Sequence, residues 1–489
     1  MSKRFTVIAG SLALALLAVS CGNSDDPNTN SASEACPLSA LDEVTTPVEV
    51  TVWHNLASLN KKVLEQQIAA FNASQNKVRV VGQNQGITFD EVQRKVEQAI
   101  PDRQLPGIVL LEDTKTQWAA DSHLFVSGTE CLAQDPEAKK TFDNLLPIVK
   151  KSYELNNTFL PVSFSTYTAV VFFNQRHFSA AGLDQQHGPA TLDEMYEQAK
   201  RLKATFPDKT PVAMVAQPWI LEWWLSGAGQ PLVNNNNGRD GRATESEFDN
   251  PNTKSVLKLF QKMKSEGLLN IVPATPGQTN HVLAMANQTA SMVVESTAAN
   301  ATIAGVLEGT IDSARLKEEL GIDLPAGSEN LKLDLQIGAS PLPGIKQAGK
   351  GQIGGGVWYI PNTGTPAQQA GAWRFAQFMN QTANQAQWSV TGSNVPVFTP
   401  VIADPSVTTS WTSSLAGKWQ KIAYDVLAGV SSDFPGPIIG PYSETRIAEQ
   451  KAIEEALIND RDVDEVVAQA DSTITSELAA YAQDAGKGS

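Results

Sequence analysis

The sequence predicts an α/β protein made of two lobes. Three observations support this prediction: strand and helix patterns alternate after residue 47, the same alternation restarts near residue 169, and about 450 residues exceed what a single hydrophobic core accommodates. Ligands of open α/β sheets bind at the carboxyl ends of the strands. The loops after Trp53, Val81 and Leu111 are therefore candidate ligand contacts.

The N-terminus has the pattern of a secretory signal. Lys3 and Arg4 precede an apolar run from Val7 to Val19, and Ser20 and Cys21 follow it. The run is shorter than the ~20 residues that a membrane-spanning helix needs. We predict that residues 1–20 are a lipoprotein signal peptide, that Cys21 is lipidated, and that residues 21–36 are a disordered tether; the alternative is an ordinary signal peptide in which Cys21 is incidental.

Charge and cysteine content describe the exported part of the chain. Without Lys3 and Arg4 the net charge of −15 becomes −17, so nucleic acid and anionic membrane surfaces are unfavourable partners. If Cys21 carries lipid, Cys36 and Cys131 remain, and an extracytoplasmic compartment permits a disulfide. We expect this pair to form; the alternative is two separate buried thiols.

The first lobe begins with a β-α-β-α-β series. Apolar runs predict strands at 48–52, 78–81 and 108–111, and apolar residues at helical spacing lie between them. Thr88 and Glu91 form a capping box that opens the second helix. The run at 108–111 is continuously apolar, as expected of a parallel strand covered on both faces.

The second lobe is predicted to start with a strand at 169–173, followed by a helix that Thr191 and Glu194 open. Further helices are predicted at 256–263, 367–380, 443–457 and 463–481. The segments 291–296 and 352–360 are predicted as strands where the chain crosses between the lobes.

Motifs for catalysis, metal binding or cofactor binding are missing from the sequence. It contains no H-E-x-x-H, paired C-x-x-C, P-loop or G-x-S-x-G motif, and its five histidines have no shared spacing. Glu112 and Asp113 suggest a glycosidase pair, but adjacent strand residues point to opposite faces. We therefore predict that the protein is not an enzyme and uses no cofactor or metal.

Two features are candidate ligand contacts in the second lobe. Trp219 and Trp223 share a helix face that suits a sugar ring or a quaternary ammonium, although packing in the core explains them equally well. Arg446 lies near the start of a helix, where the macrodipole opposes a cation. It is expected either to bind an anionic ligand or to pair with Glu444 or Glu449.

The order of several short motifs resembles the extracellular family 1 of ABC-importer solute-binding proteins, particularly the glycerol-3-phosphate and glycerophosphodiester binders. The motifs span about 400 residues, and none is diagnostic alone. They are Val52-Trp53-His54, Ala70-Phe71-Asn72, Phe173-Asn174, Ala181-Gly182-Leu183-Asp184, Gly354-Gly355, Thr391-Gly392 before Val395-Pro396, and the segment around Arg446.

The resemblance implies a periplasmic-binding-protein-like (type II) fold, with a hinge and a ligand cleft between two lobes. We expect residues 37–165 plus 292–352 in lobe 1 and residues 166–291 plus 353–489 in lobe 2. The hinge is expected at Ser165–Ala169, with returns near Ser291 and Gly354.

The resemblance also implies a set of ligand-binding residues. Asp113 would take glycerol hydroxyls, Trp219 or Trp223 would form an aromatic wall, and Phe89 stands where similar proteins have a tyrosine. The residues expected to bind phosphate are Arg446, Ser296, Gly355 and Thr166.

These inferences predict an extracytoplasmic, lipid-anchored, monomeric subunit that captures a glycerophosphodiester or glycerol-3-phosphate-like solute. Its partners would be the permease and ATPase subunits of an ABC importer. The alternatives are a binding subunit for a neutral oligosaccharide of the maltose or trehalose type, and a ligand-binding sensor.

Overall fold

Two five-stranded sheets form the backbone framework in the computed structural model, which describes residues 36–275, 279–311, 317, 333–349, 351–431 and 434–485. The predicted signal peptide, Cys21 and the predicted tether up to residue 35 lie outside the described residues. The strands are β1 (Val48–His54), β2 (Val78–Asn84), β3 (Ile108–Glu112), β4 (Glu154–Leu155), β5 (Thr158–Phe159), β6 (Ser163–Tyr167), β7 (Ala169–Asn174), β8 (Val212–Ala216), β9 (Leu269–Pro273), β10 (Met292–Ser296), β11 (Ile337–Pro341) and β12 (Gly354–Tyr359).

Helices cover the sheets. Those before residue 310 are α1 (Ser58–Ser74), α2 (Phe89–Ala99), α3 (Thr116–Ser122), α4 (Gly128–Gln134), α5 (Pro136–Asp143), α6 (Pro147–Tyr153), α7 (Gln175–Ala180), α8 (Leu192–Thr205), α9 (Pro218–Gly227), the left-handed turn α10 (Asn234–Gly238), α11 (Pro251–Ser265), α12 (Asn280–Ala286) and α13 (Asn300–Glu308). The later ones are α14 (Pro366–Met379), α15 (Thr382–Gly392), α16 (Thr399–Ile402), α17 (Pro405–Ser413), α18 (Leu415–Ala428), α19 (Tyr442–Leu457) and α20 (Val463–Ala485). Within the described ranges, no helix combines the length and apolarity needed to cross a bilayer.

Each sheet is the centre of one lobe. The first lobe contains the order β2-β1-β3-β12-β6, and the second contains β11-β7-β10-β8-β9. In the first lobe β1 pairs in parallel with both β2 and β3, as the β-α-β-α-β pattern predicts. The predicted capping box of Thr88 and Glu91 is present at the start of α2. Because β1, β2 and β3 run in one direction, their carboxyl ends meet at one sheet edge.

The hinge crossing is short. β6 ends at Tyr167 in the first sheet, and β7 begins at Ala169 in the second. Only Thr168 lies between them, within the predicted segment Ser165–Ala169.

Two later strands lie in the opposite lobe from the one predicted. We expected residues 292–352 in lobe 1, but β10 pairs with β7 and β8 in the second sheet. Residues from 353 onward were expected in lobe 2, but β12 lies between β3 and β6 in the first sheet, and Trp373 of α14 packs in the first lobe's core. A continuous apolar strand fits either sheet equally well, so local pattern could not assign these segments.

Glycines allow β12 to pack between β3 and β6 in the first sheet. A Cβ on Gly354 would lie 2.5 Å from the Trp223 ring, and one on Gly356 would lie 2.5 Å from Leu110 Cδ1. Gly355 has φ +123°, which disfavours other residues. Close packing therefore explains the glycines at 354 and 356.

A disulfide joins Cys36 to Cys131 across 95 residues of sequence. Cys36 is 1% exposed and Cys131 is fully buried. The bond ties the start of the described chain to α4, and it joins the pair of cysteines that the sequence predicts.

Candidate functional site

The candidate site lies where the end of β3 in the first lobe meets α9 and α19 of the second lobe. Glu112 is the last residue of β3, and Asp113 begins the short 3₁₀ helix Asp113–Lys115. Glu222 comes from α9, and Arg446 comes from the second turn of α19. Ionic groups of both lobes are thus brought together at the carboxyl end of a strand.

Arg446 joins the two lobes. Its Nε donates to Glu222 Oε1 at 2.7 Å and its Nη2 donates to Glu222 Oε2 at 2.8 Å, which is a bidentate pair within the second lobe. Its Nη1 donates to Glu112 Oε1 at 2.5 Å, across the interface. Neither partner is one of the two glutamates predicted from the sequence, Glu444 and Glu449.

Burial makes these contacts energetically important. The side chain of Glu222 is 1% exposed, against 17% for Arg446 and 21% for Glu112. Burial acts to raise the pKa of Glu112, but the charges of Arg446 and Lys115 and its hydrogen bonds outweigh burial and lower that pKa. Glu112 is therefore ionised at neutral pH.

Two further carboxyl groups have the opposite shift. Burial, followed by the charge and hydrogen bond of Glu222, holds the pKa of Glu449 well above its usual range. Burial, followed by the charge of Glu112, does the same for the pKa of Asp113, although the backbone N–H of Gly355 donates to Asp113. A protonated carboxyl group both donates and accepts hydrogen bonds, which suits a hydroxyl ligand.

A second cation reaches across the interface. Lys115 is 4% exposed, and its ammonium group donates to Ser443 Oγ at 2.5 Å. Ser443 lies in the first turn of α19, where the N-cap Pro441 provides no side-chain cap. The positive end of the helix dipole and the Lys115 charge therefore add to the positive potential beside Arg446.

The two tryptophans of the predicted aromatic wall differ in burial. Trp223 is 5% exposed and packs against Gly354 of the first lobe, whereas Trp219 is only partly buried. Their rings meet edge to face, with centroids 4.9 Å apart. The Trp219 indole N–H donates to Gln217 Oε1. Core packing therefore explains Trp223, and Trp219 is partly buried against the same core; contact of either ring with a ligand stays a prediction.

The other predicted ligand residues lie on four different elements of the fold. Thr166 is buried in β6 and pairs with Gly355 in β12, so both are close to Asp113. Ser296 ends β10, and its hydroxyl accepts from the N–H of Ala298. Phe89 opens α2 and packs on the first lobe's core, near Gly356.

The sequence reasoning missed three residues of this site. Glu222 lies between two predicted tryptophans and Lys115 follows Asp113 by two residues, but neither was singled out. Glu112 was considered only as half of a catalytic pair. A charged residue inside the apolar segment Trp219–Leu225 was the one local signal for Glu222, since such burial requires a partner.

No metal site was found in the described part of the chain. None of its groups of three or more His, Cys, Asp or Glu side chains is arranged to hold an ion.

The two-lobe fold and interlobe site are those of a solute-binding protein, and the sequence matches that class. Residues 66–413 match the family of bacterial extracellular solute-binding proteins, and the chain belongs to this family. Its place outside the cytoplasm follows from the family. The resemblance drawn from the short motifs is confirmed at family level.

Among curated relatives, the chain is similar to the sn-glycerol-3-phosphate-binding periplasmic protein UgpB. It is 24% identical to the Brucella suis protein over 226 residues, which is 46% of this chain and 52% of that protein. It is 25% identical to the Yersinia pestis protein over 224 residues, 45% and 50% of the two chains. The chain spans about half the length of the curated relatives it matches.

Solved structures share the fold over most of the chain. The GacH receptor of Streptomyces glaucescens, also solved with acarbose, superposes with a TM-score of 0.69 at 18% identity, covering 88% of this chain and 99% of that one. UgpB from Mycobacterium tuberculosis in complex with glycerophosphocholine gives a TM-score of 0.68 at 16% identity, covering 88% and 98%. These likenesses confirm the predicted two-lobe type II fold.

Proposed function

We propose that this protein is the solute-binding subunit of an ABC importer and captures a glycerophosphodiester or glycerol-3-phosphate-like solute between its lobes. The main support is the geometry of the Arg446 guanidinium. Two hydrogen bonds to Glu222 hold it in the second lobe, and its remaining N–H edge faces Glu112 of the first lobe. Arginine in this arrangement is well suited to phosphate oxygens. The similarity to UgpB supports the same solute class.

The two contacts of Arg446 have different roles in the proposal. Glu222 is on the same lobe, so it keeps Arg446 oriented whether the lobes are open or closed. Glu112 is on the opposite lobe, so its contact with Nη1 is made only when the lobes approach. A phosphate oxygen entering the cleft takes the place of Glu112 on Nη1 and exchanges one anionic acceptor for another.

Neighbouring groups complete the proposed site. Lys115 and Ser443 lie beside Arg446 and add positive charge and a hydroxyl. Asp113, whose pKa is raised by burial, offers hydrogen bonds to glycerol hydroxyls, next to the predicted contacts Gly355 and Thr166. Trp219, which is partly buried, provides a ring face for a hydrocarbon or quaternary ammonium group.

The proposal includes attachment to the membrane through lipidated Cys21 and delivery of the solute to permease and ATPase subunits. The leader pattern before Cys21 supports the anchor. We further propose that the protein acts as a monomer and does not turn its solute over.

A neutral oligosaccharide is the second candidate solute. The observation that favours it is that two carboxylates already compensate Arg446, so an added anion must displace one of them. Carboxylates and an adjacent tryptophan are also the groups that bind sugar hydroxyls and ring faces.

Calorimetric titration of the purified protein tests these alternatives. The solutes are glycerophosphocholine, glycerol-3-phosphate, maltose and trehalose. Binding of a phosphate ester alone supports the proposed site, whereas binding of a disaccharide alone transfers the proposal to oligosaccharides. Uptake of the bound solute by cells lacking the gene separates an importer subunit from a sensor, because only an importer subunit is required for uptake.

A further inference from the structure

The hinge side of the interface holds a network of uncharged polar side chains that the proposed phosphate site does not use. Ser165 Oγ and the Tyr167 hydroxyl are 3.1 Å apart, and Ser165 Oγ donates to Asn394 Oδ1 at 3.3 Å. The side chain of Asn60, from α1, hydrogen-bonds to the Tyr167 hydroxyl. This part of the network belongs to the first lobe.

The network continues into the second lobe through the loop after α15. Ser393 Oγ accepts from the backbone N–H of Ala301 at 3.0 Å, and the Ser393 carbonyl accepts from Gln420 Nε2 at 2.9 Å. Gln420 Oε1 in turn accepts from Asn300 Nδ2 at 3.1 Å. Asn300 is the first residue of α13, whose N-cap Ala299 provides no side-chain cap. The two lobes therefore share one continuous polar surface at the hinge.

Four atoms of this surface are buried and have no hydrogen-bond partner among the described residues. They are Asn60 Oδ1, Thr168 Oγ1, Asn300 Oδ1 and Asn394 Nδ2. Thr168 is 1% exposed, Asn300 is fully buried and Asn394 is 4% exposed. A buried polar atom without a partner keeps its full desolvation penalty, so these four atoms would be stabilised by a ligand that supplies the missing hydrogen bonds.

The chemistry of the four atoms selects a class of ligand group. The two amide oxygens accept, the amide nitrogen of Asn394 donates, and the Thr168 hydroxyl does either. None of the four is charged. A phosphate oxygen only accepts and an ammonium group only donates, whereas a hydroxyl group does both. The set therefore fits neighbouring hydroxyls of a diol or a sugar ring.

We propose that Asn60, Thr168, Asn300 and Asn394 bind the uncharged hydroxyl groups of the solute, at the hinge end of the cleft. This inference rests on the proposed function, because it assumes a solute held between the lobes. The hinge network is next to the ionic site, since Thr166 of β6 pairs with Gly355, whose N–H reaches Asp113. A solute with a charged end and a hydroxylated end would span both. Contacts from both lobes also make its binding depend on closure.

Gly392 offers a way to block this subsite sterically. A Cβ built on Gly392 overlaps with Asn60 Oδ1, and the residue has no positive φ that would strain an alanine. Gly392→Ala is thus expected to displace the Asn60 carboxamide and to leave the Arg446 site untouched. Asn394→Ala removes the donor directly, and Asn459→Ala, at an exposed asparagine after α19, is the matched control.

The test measures affinities by calorimetry for wild type and the three variants, with thermal unfolding to verify folding. The solutes are glycerophosphocholine, phosphocholine, which lacks the glycerol diol, and maltose. For a hydroxylated solute that binds wild type, we expect Asn394→Ala and Gly392→Ala each to weaken binding about tenfold, the size of one or two hydrogen bonds. Phosphocholine binding and the Asn459→Ala control should change less than twofold.

Whenever wild type binds a hydroxylated solute, the outcomes distinguish this inference from the proposed function. Glycerophosphocholine binding that both folded variants retain within twofold overturns the hinge subsite and leaves the phosphate-ester function standing. If maltose binds, phosphate esters do not, and both variants weaken maltose binding, the subsite is supported and the proposed solute is overturned. Equal weakening of phosphocholine and glycerophosphocholine shows a structural role and overturns the subsite. If no hydroxylated solute binds wild type, both proposals fail. Should Asn394→Ala not fold, Gly392→Ala and Asn394→Ser give the same readout.

Discussion

Replacing Arg446 by methionine tests whether the interlobe ion network is as desolvated as the structure shows. The change keeps most of the side chain's apolar volume but removes three charge-assisted hydrogen bonds, two to Glu222 and one to Glu112. Glu222 is 1% exposed, so it would be left as an uncompensated buried carboxylate. Breaking a buried pair from one side costs about 3–5 kcal/mol, which is the loss of unfolding free energy expected at pH 7.5.

Arg461 provides a matched control, because it also bridges two glutamates. Its pairs with Glu455 and Glu465 are solvent-exposed, with side chains 28–54% accessible. Arg461→Met should therefore cost less than about 1 kcal/mol. Urea unfolding of the two variants gives the comparison, provided that their m-values equal that of wild type.

The effect of Arg446→Met should also depend on pH. With Arg446 present the pKa of Glu112 is depressed, so the stabilisation is complete above the unfolded value near 4.5 and is lost as the pH falls through the folded pKa. The difference between wild type and variant should therefore stay constant above pH 4.5 and shrink as the pH falls below it. Adding Glu222→Gln to Arg446→Met should restore about 2 kcal/mol, since it removes the unpaired charge. An Arg446→Met cost no larger than that of Arg461→Met would refute the reasoning.

Three further outcomes are expected. In wild type the raised pKa of Glu449 makes stability fall as the pH rises above the unfolded value of 4.5, with a limiting slope of about 1.4 kcal/mol per pH unit. Wild type should therefore lose stability relative to Glu449→Gln as the pH rises above that value; parallel stability–pH curves would contradict this. Burial and the charge of Lys61 lower the pKa of His54 from 6.5 to about 4. The free energy of unfolding should therefore fall by about 3 kcal/mol as the pH drops from 6.5 to about 4, and His54→Asn should remove that fall in acid unfolding titrations. Cys36→Ser/Cys131→Ser should lower the free energy of unfolding in urea by about 4–5 kcal/mol, because the disulfide closes a loop of 95 residues. Adding reductant to wild type should cause an equal loss, and a loss below about 1 kcal/mol would count against the disulfide.

Local pattern was sufficient where neighbouring residues decide the structure. The alternation at Val48–Val52, the capping box of Thr88 and Glu91, and the continuous apolar run at 108–111 each occur as predicted. The predicted late helices 443–457 and 463–481 match α19 and α20 to within one residue at their starts. Helix caps and strand alternation depend on contacts a few residues apart, so the sequence displays them directly.

Long-range contacts decided the rest. Arg446 could be recognised as a cation in need of a partner, but its partners lie 224 and 334 residues away and come from both lobes. The assignment of β10 and β12 to their sheets depended on which edges were open in three dimensions, because an apolar strand pairs equally well with either. Asn300 and Asn394, each with one amide atom that lacks a hydrogen-bond partner, are likewise ordinary polar residues in the sequence. By itself the sequence determined the elements and the family, whereas only the tertiary structure decided which charges neutralise one another and which polar groups remain to bind a solute, because burial is a property of the packed chain.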